Sequence, residues 1–309
     1  MNKPPIAIIT GTTASGKSEI AFEFARARAP TIELINADSI QVYRGFDIGS
    51  AKPSLAEQKA VSHHLINCRD PDTPYTAGDF YAEVQTAIET IHSRGHRALI
   101  VGGTGFYLKT LLYGLWEVPK ADPTIRAHLE SLESSELISI IQRKDPQVLT
   151  KFDKNDRYRL IRAAEIIENF NCSPLELEAK RPRTPNAQYS LWVLDRDSTE
   201  LHARIERRAQ EMLNQGFVEE TKKLLNQFPN AKALRSVGYR QVIAHLRGEK
   251  PESRPIRPGT FGLLDEICLA TRQLVKKQRT WFNSEPTSRW IRLDEERKTL
   301  MEQLERLYD

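Results

Sequence analysis

Cysteine is scarce in this sequence. Its 309 residues hold three, Cys68, Cys172 and Cys268, which form neither an even set nor a CxxC pair. That argues against a disulfide framework or structural zinc site and for a reducing compartment, the cytoplasm. Long hydrophobic runs are missing too. Apolar stretches such as residues 6–9 and 98–101 are far too short to cross a bilayer. The start at Met1 leads into the first of them without the apolar region and cleavage site of a secretory signal. No membrane partner is expected. Nor is there a large excess of one charge: 45 Lys and Arg face 41 Asp and Glu, a net +4. A protein that grips a polyanion with its whole surface would be more lopsided, so any such partner must meet a local patch. Repeats, low-complexity tracts and sustained heptads are absent. What remains is a globular chain, expected as a monomer, with enough length for a substantial core.

Residues 1–118 alternate between strand and helix. Residues 6–10 are an apolar run that stops at Gly11, as a buried parallel strand does. Residues 18–29 follow with helical periodicity, 31–37 and 98–101 read as further strands, and 81–93 as a helix between them. This order predicts an α/β class with a parallel sheet flanked by helices. Residues 119–190 change to polar, helix-favouring segments (125–132, 137–143 and 157–170, the last capped by Asn155-Asp156) bounded by Pro119, Pro123, Pro182 and Pro185. They read as a helical insertion. Residues 191–309 return to the core with a strand at 191–194 and helices at 201–215, 217–227, 239–247 and 261–282, the segment 248–258 being a loop.

The strongest local signal is Gly11-Thr12-Thr13-Ala14-Ser15-Gly16-Lys17-Ser18, which fits G-x-x-x-x-G-K-[ST] between an apolar strand and an amphipathic helix. Glycines let backbone N–H groups turn toward phosphate oxygens, and the helix N-terminus adds partial positive charge. Lys17 would meet the terminal phosphate and Ser18 would ligate Mg²⁺. Asp38, at the end of the second strand, stands where such sheets bind ligands; it is an acceptor-binding carboxylate or a cap. Gly102-Gly103-Thr104-Gly105 allows a ligand to approach the backbone, with the Thr104 hydroxyl beside it. Asp195 reads as a surface turn ahead of a metal ligand. His63-His64 lacks a third ligand for a metal and reads as packing or backbone bonding at the crevice rim.

Three stretches are basic with few or no acids nearby. One holds Lys232, Arg235, Arg240 and Arg247. A second holds Arg272, Lys276, Lys277 and Arg279 and closes on Trp281-Phe282. The third holds Arg157, Tyr158, Arg159 and Arg162. Arginines beside aromatics suit phosphate contact with base stacking, though a charge run also makes a solvated helix face.

Taken together these pieces resemble one family, the tRNA dimethylallyltransferases (tRNA isopentenyltransferases) of bacterial type. The phosphate loop is followed in family order by Asn36-Ala37-Asp38-Ser39-Ile40-Gln41-Val42-Tyr43, Asp47-Ile48-Gly49-Ser50-Ala51-Lys52-Pro53 and His63-His64-Leu65. Then come Gly102-Gly103-Thr104-Gly105-Phe106-Tyr107, Asn155-Asp156 with Arg159 and Arg162, Arg235-Ser236-Val237-Gly238-Tyr239-Arg240, and Thr271-Arg272-Gln273 running to Gln278 and Thr280-Trp281-Phe282. Thr12, Ser18 and Ser50 depart from the commoner family residues but keep their size or hydroxyl. The C-terminal zinc finger of eukaryotic members is lacking. The resemblance implies transfer of a dimethylallyl group from dimethylallyl diphosphate to the exocyclic amine of the adenosine just 3′ of the anticodon, with Mg²⁺ as cofactor. By the same resemblance the phosphate loop, Gly11 to Ser18, holds the diphosphate, with Lys17, Asp38 and Thr104 catalytic. Asp38 would take a hydrogen bond or proton from the amine, and Thr104 would position it. Contact with tRNA is carried over to Asp38, Ser39, Ile40, Gln41, Thr104, Arg126, Tyr158, Arg159, Arg162, Arg235, Gly238, Tyr239, Arg240, Arg272, Lys276, Lys277, Arg279 and Trp281. The alternatives are a P-loop small-molecule kinase of shikimate or nucleoside type, which leaves the basic clusters unused, and a nucleotide-gated RNA-binding module.

Overall fold

The computed structural model describes residues 4–115, 122–180, 182, 184–249 and 262–309. The chain divides into two compact units, Met1–Leu112 with Asn186–Asp309, and Tyr113–Pro185.

The first unit is built on six strands: β1 (Ile6–Gly11), β2 (Ile32–Asn36), β3 (His63–His64), β4 (Arg97–Val101), β5 (Tyr189–Asp195) and β6 (Arg289–Arg292). Their order is β3-β2-β4-β1-β5-β6, and every pairing is parallel. Every residue of β1 and β2 is buried, so neither alternates: β1 is an apolar run up to Ile9, and β2 is an apolar run interrupted by Glu33 and closed by Asn36. Helices α1 (Lys17–Ala27), α2 (Leu55–Ala60), α3 (Ala77–Ser93) and α4 (Gly105–Tyr113) accompany the first four strands.

The second unit is helical: α5 (Pro123–Ser131), α6 (Ser134–Lys144), α7 (Arg157–Phe170) and α8 (Pro174–Ala179). Leu129, Leu137, Ile141, Leu160 and Ala164 form its own core. Asp156 Oδ1 accepts the Arg159 N–H at 3.1 Å and starts α7, while Asn171 in a left-handed conformation ends it.

Back in the first unit follow α9 (Ser198–Asn214), α10 (Phe217–Gln227), α11 (Tyr239–Leu246), α12 (Leu263–Ser284) and α13 (Leu293–Tyr308). One core joins α1 and α13 to the sheet through Ile20, Phe24, Leu300 and Leu304 against Ala7, Ile9, Leu34 and Leu99. A fully buried Leu, Ile or Phe contributes about 1.5–3 kcal/mol, so these side chains fix the register. The Tyr308 hydroxyl locks it by donating to the Ala98 carbonyl at 2.6 Å and accepting the Ala7 N–H at 3.2 Å. A second core gathers α9–α12 around Phe217 and Tyr239.

The expected α/β class, a parallel sheet flanked by helices, is present, with several shifts in its elements. β5 begins at Tyr189, not residue 191, because Tyr189 and Ser190 pair with Ile6 and Ala7. Asn186 to Ser190 therefore belong to the sheet unit and not to the insertion. Helix α1 stops at Ala27, ahead of Pro30, which offers no N–H to continue it. The expectation did not include α2, β3, α4, α8, β6 or α13. The expected boundary at Pro119, most of the 248–258 loop and the helix start at residue 261 lie outside the described residues.

Candidate active site

The crevice lies at the carboxyl ends of β1, β2 and β4, where open parallel sheets bind ligands. The phosphate loop leaves β1 at Gly11 and enters α1 through Gly16, whose φ of 97° suits glycine. Its carbonyls are braced from outside: Arg196 Nε donates to Ser15 O and Arg204 Nε to Ala14 O, each at 2.9 Å. The Thr13 N–H donates to Gln278 Oε1 at 2.9 Å, and Gln278 Nε2 donates to the Gly103 carbonyl at 3.0 Å. Gln278 on α12 thus bridges the phosphate loop and the glycine-rich turn. The hydroxyls of Thr12 and Ser15 are buried without a hydrogen-bond partner among the described residues.

Lys17 Nζ donates to the Thr12 carbonyl at 3.1 Å. Burial first and the positive charge of Arg208 second bring its pKa down to about 8, with Asp38 opposing both. Arg208, on α9, is itself pushed below its ordinary value by burial, with Asp38 acting against that. Ser18 is exposed at the first turn of α1. Thr13, Lys17, Ser18, Asp38 and Arg208 line one cavity of about 720 Å³.

Asp38 follows β2. Its Oδ1 accepts the N–H groups of Ile40 at 2.8 Å and Gln41 at 3.3 Å, so one carboxylate oxygen closes a local turn, with no helix following. Among the described residues Oδ2 has no such partner. Thr104 Oγ1 accepts the Ser39 N–H at 3.1 Å, which joins the β4 turn to the Asp38 segment. Gly102 permits that approach: a Cβ there would lie 2.3 Å from the Ala37 carbonyl. Gly105 carries the Trp281 ring, which a Cβ would meet at 2.5 Å. Asp38, Ser39, Ile40, Gln41, Thr104 and Trp281 are therefore brought together beside the loop.

The other expected contacts divide. Arg235, Arg240, Lys276 and Lys277 are exposed, and Arg272 is half-buried. Tyr239 is fully buried beside Gly238, with its ring against Phe46 and Phe217. Arg279 pairs with Asp195 at 2.8 Å, so that charge is spent inside the fold and Asp195 is not a free carboxylate. In the helical unit Arg126 pairs with Glu130 at 2.7 Å and reaches buried Glu165 at 3.5 Å. Arg162 also pairs with Glu165, and Arg159 with Asp156 at 3.4 Å. Tyr158 is 64% exposed, with the Arg126 guanidinium 5.9 Å from its ring centroid. His63 Nδ1 bonds the Val61 carbonyl at 2.7 Å and His64 Nε2 bonds Glu33 at 2.8 Å. No group of three or more metal-ligating His, Cys, Asp or Glu side chains occurs among the described residues.

Sequence reasoning missed Arg208 and Glu220. Both sit in helices among other charged residues, and only the fold turns them inward. Gln278 stood inside a matched motif, but its bridge between two loops was not foreseen.

Comparison with known proteins shows the family. A family model described as IPP transferase matches residues 41–285. The tRNA dimethylallyltransferase 1 of Trichlorobacter lovleyi is 38% identical over 305 residues, covering 96% of this chain and 97% of its own. The tRNA dimethylallyltransferase of Geobacter sulfurreducens is 40% identical over 302 residues, 94% of this chain and 92% of its own. Among solved structures, the full-length tRNA isopentenylpyrophosphate transferase of Bacillus halodurans superimposes with a TM-score of 0.67 at 28% identity, covering 99% of this chain and 97% of its own. With a family model spanning most of its length and relatives matched nearly end to end, the chain belongs to the IPP transferase family.

Proposed function

We propose that this enzyme transfers a dimethylallyl group from dimethylallyl diphosphate to the exocyclic amine of the adenosine just 3′ of the anticodon in tRNA. The observation that carries the reading is a phosphate loop whose Lys17 shares one cavity with Arg208 and with Asp38. In the reaction the allylic carbon–oxygen bond breaks and its electron pair leaves with the diphosphate. The amine nitrogen bonds that carbon and loses a proton, which Asp38 Oδ2 takes up. Lys17, Arg208 and the loop N–H groups stabilise the negative charge that develops on the leaving diphosphate. An aryl amine is a weak nucleophile, so its orientation by Thr104 and the 38–41 segment supplies much of the rate. The target base must leave its stack to reach the crevice.

Magnesium is the expected cofactor, and the residues present fit it. Ser18 offers an exposed hydroxyl on the cavity wall, and a cation that keeps several waters needs only one or two protein ligands beside diphosphate oxygens. When bound it would offset charge on the diphosphate. The relatives give the kinase alternative no support.

Incubation with unmodified tRNA, dimethylallyl diphosphate and Mg²⁺ should yield prenylated adenosine, read by mass spectrometry of the nucleosides. Asp38→Asn keeps an oxygen for the Ile40 and Gln41 N–H groups but removes the base. Transfer should fall by about 100-fold while diphosphate affinity persists. No product from the wild type, or phosphorylation of a small acceptor by ATP, would refute the proposal.

A further inference from the structure

We infer that Glu220 is a positioning residue for this transfer: its carboxylate holds the crevice wall at residues 47–51 and, through Gln41, the segment that carries Asp38. The inference rests on the function proposed above. Glu220 stands on α10 and lines neither the 720 Å³ cavity nor the 140 Å³ pocket beside it. That pocket is lined by Asp38, Gly49, Ser50, Arg208 and Tyr239, among others.

Four hydrogen bonds converge on the carboxylate. Oε2 accepts the N–H groups of Asp47 at 3.1 Å and Ile48 at 2.7 Å. Oε1 accepts the Gly49 N–H at 3.1 Å and the Tyr239 hydroxyl at 2.7 Å. Three consecutive backbone N–H groups that converge in this way form an anion-binding concavity, and the chain fills it with its own carboxylate. Four bonds also use about all the acceptor sites a carboxylate has. Burial and the adjacent Glu220 charge push the Tyr239 hydroxyl far above its ordinary pKa, so it remains a donor.

The loop held in this way has little slack. A Cβ at Gly49 would lie 2.1 Å from the Phe217 ring and 2.6 Å from that of Tyr239, so backbone rests directly on α10 and α11. Inside the loop, Lys52 Nζ donates to Tyr43 O at 2.8 Å and to Asp47 Oδ1 and Asn67 Oδ1 at 2.6 Å each. Its ammonium is committed to the loop even though the side chain borders the cavity. From the loop to the proposed base the path is short. Gln41 Nε2 donates to the carbonyls of Ser50 at 3.1 Å and Ala51 at 3.2 Å, and the Gln41 N–H donates to Asp38 Oδ1. The diphosphate side of the crevice, from Gly11 to Ser18, makes no contact with Glu220 among these bonds.

Glu220→Gln sets a donor amide against the Gly49 N–H and the Tyr239 hydroxyl while keeping size. Its kcat per folded molecule should fall about tenfold or more, with the KM for dimethylallyl diphosphate unchanged. Tyr239→Phe removes one of the four bonds and should lose less. The double variant should be no worse than Glu220→Gln alone, because both changes act on the same carboxylate. A merely structural role would lower the melting temperature and leave kcat per folded molecule intact. That result, or a loss confined to the donor KM, overturns the inference. If Glu220→Gln does not fold, Tyr239→Phe decides on the same criterion. Wild-type enzyme that transfers nothing defeats the functional reading and this role with it. Wild-type turnover with an unaffected Glu220→Gln defeats this role alone.

Discussion

Lys17 meets two conflicting demands. In the proposed reaction it must carry charge to meet a diphosphate, yet it is folded back on the Thr12 carbonyl in a crevice it shares with Arg208. Burial first, and the Arg208 charge second, bring its pKa from 10.5 to about 8, with Asp38 resisting. Between about 8 and 10.5 the unfolded chain therefore binds the proton that the folded chain has lost. Stability from this group consequently rises with pH across that window, and its penalty is fully present below it. Diphosphate binding has the opposite sign. An anion beside Lys17 restores the proton, so affinity for dimethylallyl diphosphate should weaken by about tenfold as pH rises from 8 to 10. Calorimetric titration in two buffers of different ionisation enthalpy should show proton uptake on binding above pH 8. Lys17→Ala should bind weakly at every pH and lose the slope. A flat affinity profile for the wild type would show that Lys17 does not hold the diphosphate.

At the scale of elements, a buried carboxylate near the sheet edge, with partly exposed partners, bears on stability and not on chemistry. Glu33 in β2 has only 4% of its side chain exposed and receives both Arg94 (2.8 Å) and the rings of His64 on β3 (2.8 Å) and His96 (2.7 Å). Burial alone would raise its pKa, but the hydrogen bonds from Arg94, His64 and His96 outweigh it and lower the value to about 2. A carboxylate depressed in the folded state gives stability that is present above its unfolded pKa and is lost as pH falls from about 4.5 toward 2. Glu33→Gln should cost roughly 3 kcal/mol at neutral pH, read from urea denaturation. It should also flatten the acid limb of the stability profile; an unchanged acid limb would count against the cluster. The same edge marks what was legible in the sequence. Strands β1, β2, β4 and β5 are mostly apolar because they are buried, so they could be read. Strand β3 is two histidines and β6 is Arg-Trp-Ile-Arg, and neither carries that pattern. The loop was legible because its spacing along the chain is itself the chemistry, and Asp38 and Thr104 were candidates because they follow strands that read as buried and because of the family resemblance. Arg208, which reaches the crevice, and Glu220, which reaches the 47–49 backbone behind it, were not, because each stands on a helix whose sequence resembles an ordinary charged surface.

For the whole molecule, a net charge of +4 says little until partners are assigned. Arg279, in a stretch without nearby acids in sequence, finds Asp195 in space, and Arg126 and Arg162 share Glu165. Lys276 and Lys277 are exposed on α12 with no ion pair among the described residues. These two, and not Arg279, should therefore carry phosphate contact on this helix. Releasing a counterion per contact makes binding fall linearly with log salt concentration. Replacing both Lys276 and Lys277 with Ala should weaken tRNA binding and reduce that slope by about 2, measured by filter binding between low and physiological salt. Arg279→Ala should leave the slope intact and instead lower the melting temperature, because it strands Asp195 beside β6. If the double lysine variant kept the wild-type slope, the exposed face of α12 would be solvated surface, and the tRNA would have to be held by Arg235, Arg240 and the arginines of the helical unit.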